Sequence, residues 1–91
     1  MDLEAIKRVV FRQVCFIQEL SGRRFPPTYD ETIVPISQLE EFDSVNGAEA
    51  ATRITEMTGC DLQVNPFVDG NRPLTIREVA VAIYKKLNKG K

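Results

Sequence analysis

Phe42-Asp43-Ser44-Val45-Asn46-Gly47-Ala48-Glu49 is the stretch that decides how this chain is read. It joins a polar loop to a helical pattern and gives one serine a special place. Asp43 can cap the first N–H groups of the helix, and its charge suits the positive end of the helix dipole. Ser44 then falls in the first turn, with its hydroxyl toward water. A phosphate is well accommodated at such an N-terminus. The chain has no histidine, so Ser44 lacks the usual general base of a nucleophilic serine. It is suited to being modified by another enzyme.

The helix so started is predicted over residues 44–58, with Gly59 ending it. At 100° per residue, Gly47, Ala50, Ala51, Ile54, Met57 and Thr58 gather on one side, expected to face the core. Val45, Ala48, Glu49, Thr52 and Glu56 fall on the other, a small apolar spot among carboxylates. The small inward residues leave two readings open. Either the helix packs closely on Phe11 or Phe16, or it leaves room for part of a bound chain.

Before this stretch, Leu3, Ile6, Val10, Val14, Ile17 and Leu20 recur at helical spacing. They predict a helix over 3–20, with Asp2 as its cap and Gly22 beyond its end. Phe11, Cys15 and Phe16 widen its apolar surface. Residues 21–43 form a long connection, interrupted by Gly22, Pro26, Pro27 and Pro35. Tyr29, Ile33, Val34, Ile36 and Leu39 are expected to pin it over the core.

After it, Asn65-Pro66-Phe67-Val68 reads as a one-turn helix, with Asn65 as cap and Pro66 in the first position. Gly70-Asn71-Arg72-Pro73 reads as a turn. The last helix is predicted over 76–87. Thr75 and Glu78 stand at capping-box spacing, and Ile76, Val79, Ala80, Ile83 and Leu87 form its core face. The expectation is an all-α fold, one domain over residues 1–91. It is a small four-helix bundle of three main helices and one short one, with a long first loop.

Ninety-one residues with 43% hydrophobic and 27% charged composition fit a small globular domain with a modest core. No apolar run approaches the roughly 20 residues needed to span a bilayer. The start, Met1-Asp2-Leu3-Glu4, has no signal-peptide pattern. Cys15 and Cys60 form neither a zinc motif nor a disulfide framework, and read as core thiols in a reducing cytoplasm. The net charge of −1 hides a division. Between residues 25 and 65, eight carboxylates face one cation, Arg53. Lys85, Lys86, Lys89 and Lys91 gather near a helix C-terminus, which the dipole favours. The acidic block steers basic partners and repels nucleic acid.

Asp43-Ser44-Val45, with Glu49 further along the helix, resembles the Asp-Ser-Leu attachment motif of acyl carrier proteins. The resemblance extends to Ile54 and to Leu74-Thr75-Ile76-Arg77-Glu78-Val79, which looks like the start of the final carrier helix. It covers residues 38–88 best and implies an acyl-carrier-like fold. It implies that a phosphopantetheinyl transferase attaches 4′-phosphopantetheine from coenzyme A to Ser44, with Asp43 assisting the transferase and its metal ion. Acyl or aminoacyl groups would then ride on the arm's thiol as thioesters. Val45, Ala48, Glu49, Thr52 and Glu56 would meet loading and acyl-using enzymes through basic docking patches. A fatty-acid, polyketide or secondary-metabolite pathway is implied.

Val45 in place of leucine, Gly47 early in the helix and the near-neutral charge suggest a specialised carrier. The chain would be a monomer with no catalytic or metal site of its own. The alternative is a carrier-like interaction module in which Asp43 and Ser44 only cap a helix. An enzyme is disfavoured, because no metal motif, phosphate loop or paired acid and base is present.

Overall fold

A computed structural model describes residues 1–89. The sequence forms α1 (Leu3–Leu20), α2 (Pro35–Gln38), α3 (Ser44–Thr58), a two-strand hairpin of β1 (Val68–Asp69) and β2 (Arg72–Pro73), and α4 (Ile76–Leu87). The three long helices match the predicted spans. Lys91, expected among the cations after α4, lies outside the described residues.

Each long helix begins with a side-chain cap. Asp2 Oδ1 accepts the Ala5 N–H at 2.7 Å. Thr75 Oγ1 accepts from Glu78 N, and Glu78 Oε1 accepts from Thr75 N, both at 3.0 Å. This is the predicted capping box. At the far end of α3, Gly59 takes the left-handed conformation, φ 73°, open to glycine at little cost.

The helices bury their apolar faces against α1. Ile6, Val10, Val14 and Ile17 of α1 meet Ala50 and Ile54 of α3 and Ile76, Val79, Ala80 and Ile83 of α4 in one cluster. Leu20, the predicted end of the α1 stripe, is instead 63% exposed. It lies in the last turn, where the chain leaves the core for Ser21-Gly22. Met57, expected to face inward, is 47% exposed. It sits on the flank of α3 toward α1, where Gln13 Nε2 reaches its sulfur at 2.9 Å. Cys60 is buried, but Cys15 is only half-buried. Burial pushes the Cys15 thiol pKa up, disfavouring the thiolate.

The short helix is not where it was expected. Asn65–Val68 makes a turn followed by β1. Asn65 Oδ1 accepts from Phe67 N at 3.1 Å, the side-chain turn that asparagine makes with the backbone two residues on. The Phe67 carbonyl then accepts from Leu74 N at 2.9 Å, which holds the chain extended around Phe67, itself fully buried. Gly70, at φ 64°, lets Val68–Asp69 turn back antiparallel onto Arg72–Pro73. The one-turn helix is α2, inside the first loop. Pro35 starts it, and Gln38 Oε1 reaches back to Val34 N at 2.7 Å.

Specific bonds pin the long loop. The carbonyls of Ile33 and Glu31 accept from Ile76 N and Arg77 N, both at 2.9 Å. They satisfy two N–H groups that α4 cannot satisfy itself. Lys7, almost fully buried, is held by Glu4 and Glu31, each at 2.8 Å. Gln18, fully buried, donates to the Arg24 and Glu40 carbonyls at 3.2 and 2.7 Å. The connection is therefore tied to α1 and α4 at several points along its length.

Candidate functional site

Ser44 is the first residue of α3 and is exposed. Phe42 fixes the approach to it. This ring is buried and meets Phe67 edge-to-face, with centroids 5.5 Å apart. The chain then turns outward, and Asp43 caps the helix. Its Oδ1 accepts from Val45 N at 3.0 Å and Asn46 N at 3.2 Å. The Asp43 carboxylate therefore holds the turn carrying the Ser44 hydroxyl. The remaining dipole charge at this end favours a negatively charged group.

The predicted recognition residues divide. Val45 is 64% exposed, and Glu49, Thr52 and Glu56 are exposed beside it along α3. Thr52 donates its hydroxyl to the Ala48 carbonyl at 3.2 Å. Ala48 is half-buried, so it lies at the edge of this face rather than on it. Arg53, the lone cation of the acidic block, turns toward α1. Its guanidinium carbon lies 4.2 Å from the centre of the Phe16 ring, a cation–π contact that also covers Phe16. The outer face of α3 keeps its two carboxylates and one valine.

Gly47 has a clear cause. A Cβ placed there would stand 2.5 Å from Asn65 Oδ1. The space over Gly47 is filled by Asn65. Phe11, one of the two expected partners, instead meets Tyr29 edge-on at 5.2 Å, and Phe16 lies under Arg53.

Two neighbours of the Asp43-Ser44 turn escaped the sequence reading. Asn46, 6% exposed, completes a capping box by accepting from Asp43 N at 3.2 Å. Its spacing from Asp43 is a readable signal, although glutamate or glutamine is commoner at that position. Arg23 donates through Nη1 to the Glu41 carbonyl at 2.8 Å and to Asn46 Oδ1 at 3.0 Å. It lies 23 positions from Asn46, and no local pattern announces the contact. A depression of about 380 Å³ beside this turn is lined by Arg23, Ile36, Leu39, Glu41, Phe42 and Asp43.

Among the described residues, no cluster of three histidine, cysteine or acidic side chains can hold a metal ion. None of their helices is long and apolar enough to cross a membrane. No protein-family model, curated protein or solved structure matches the chain.

Proposed function

We propose that this chain is an acyl carrier whose Ser44 receives 4′-phosphopantetheine. The observation that carries the reading is the pairing of an exposed Ser44 at the first position of α3 with an exposed face of Val45, Glu49 and Glu56 on the same helix. An attachment point and a docking strip then move as one rigid unit.

In the transfer, the Ser44 oxygen forms a bond to the phosphorus of coenzyme A that carries the pantetheine. The pyrophosphate bond breaks, adenosine bisphosphate leaves, and the hydroxyl proton passes to the transferase. Asp43 keeps the first turn of α3 closed and adds negative charge where a transferase with its metal ion approaches. The attached arm supplies a thiol that holds acyl or aminoacyl groups as thioesters. Val45 gives each partner a small apolar contact, while Glu49 and Glu56 steer toward basic patches. Exposed ion pairs contribute little, about 0–1 kcal/mol each, which suits a carrier that must leave after every visit.

The chain does no catalysis alone and works as a monomer that avoids nucleic acid. Its two free cysteines suit a reducing cytoplasm. The order of the three long helices and the long, pinned first loop support an acyl-carrier-like reading of this small helical bundle. A hairpin at 68–73 stands where carriers have a short third helix, so partners reading that region would be specialised ones.

Intact-mass measurement after incubation with coenzyme A and a broad-specificity phosphopantetheinyl transferase tests the reading. A gain of one phosphopantetheine supports it. An unchanged mass, where a control carrier is loaded, favours the unmodified interaction module.

A further inference from the structure

Arg23 follows α1 directly, after Gly22 at φ 68°. Its own N–H donates to the Gln18 carbonyl at 2.8 Å, so its backbone is anchored to the end of that helix. From there its guanidinium reaches across to the turn that enters α3. Nη1 donates to the Glu41 carbonyl and to Asn46 Oδ1, and Nε lies 3.4 Å from Glu41 Oε2. Glu41 is the one non-glycine described residue at positive φ, 51°, a conformation that needs support from its surroundings. Asn46 Oδ1 also accepts from Asp43 N. One side chain therefore braces both sides of Asp43-Ser44: the strained residue before it and the buried amide after it.

We propose that Arg23 is a positioning residue for the modification of Ser44, holding the Glu41–Asn46 turn in the one shape a transferase can engage. This rests on the carrier reading. Arg23 acts through Glu41 and Asn46 and forms no bond in the reaction. Its planar donor group serves two acceptors at once, which a lysine ammonium on a flexible stem does less well. Small displacements of a reacting group are costly, up to roughly a hundredfold in rate for about 1 Å.

The test compares wild type, Arg23→Ala, Asn46→Ala, the double variant and Val79→Ala. The last is a core truncation on α4 that serves as a control for lost stability. Arm transfer is followed by intact mass at a temperature where all five are folded. In Arg23→Ala, kcat/KM toward the protein should fall about tenfold or more. KM for coenzyme A, which binds the transferase, should not change. The double variant should be little slower than either single one, because both act through one brace. Val79→Ala should keep the wild-type rate. A wild-type rate in Arg23→Ala, or an equal fall in Val79→Ala, overturns the proposal.

Failure of the carrier reading looks different, since wild type itself would then gain no mass. The brace is still read by amide hydrogen exchange. Arg23→Ala should speed exchange at Asn46 and Gly47 by about tenfold or more, leaving Val10 and Val79 amides unchanged. Unchanged exchange at Asn46 and Gly47 overturns it.

Discussion

The Asn65 side chain occupies the space that a Cβ on residue 47 would need, with Oδ1 only 2.5 Å from that position. Asn65 cannot simply swing away, because the same oxygen accepts the N–H of buried Phe67. A single close approach thus ties the first turns of α3 to the turn before the hairpin.

Gly47→Ala should therefore destabilise the fold, although alanine is the better helix former by roughly 0.5–1 kcal/mol. Losing the partner of a buried amide costs about 1–3 kcal/mol, so a net loss of about 1 kcal/mol is expected. Urea denaturation measures it. A variant more stable than wild type would mean that Asn65 is not held as described.

Acid should weaken the anchoring of the first loop. Its hydrogen bond to Lys7 holds Glu31 below the usual carboxylate range, with Arg77 and Tyr29 adding to the effect. Such a group stabilises the fold above its unfolded pKa, about 4.3 for glutamate. That contribution is lost as pH falls through the lower folded value. Lys7 is raised, through Glu31 and then Glu4. Its contribution is full below the unfolded lysine value of about 10.4 and lost as pH rises through the folded one. Glu31→Gln should melt below wild type at pH 7, and the gap should close as the pH falls below 4. A gap that persists at pH 2 would show that Glu31 acts through packing rather than charge.

Val45→Asp and Glu49→Lys test the outer face of α3. Both residues are exposed, so stability should shift by less than about 0.5 kcal/mol. Transfer of acyl groups to and from partner enzymes should slow, most strongly at low salt for Glu49→Lys. Full activity in both variants would move the docking surface elsewhere.

The three long helices were legible because local signals agreed. Apolar spacing, Asp2, Asp43 and Thr75 as caps, and Gly59 as a stop all pointed the same way. The inner face of α3 was readable through Gly47, Ala50, Ala51 and Ile54, but not through Met57, whose long side chain can lie along a flank. Residues 65–68 misled because Asn-Pro begins a helix and a turn equally well. The choice is made by the distant Leu74 N–H, which takes the Phe67 carbonyl. The same limit hid Arg23, whose contacts with Glu41 and Asn46 follow from where α1 ends. Ser44 and Asp43 stand at the helix start that the sequence assigned them, while Ala48 is half-buried at the edge of its face.

The most direct measurement localises the added mass among the three serines, Ser21, Ser37 and Ser44, all exposed. Fragment masses of protein treated with coenzyme A and the transferase should place one phosphopantetheine on Ser44. Ser21→Ala and Ser37→Ala should be loaded like wild type, and Ser44→Ala should gain nothing. An unloaded wild type beside a loaded control carrier, or an arm on Ser21 or Ser37, would contradict the account.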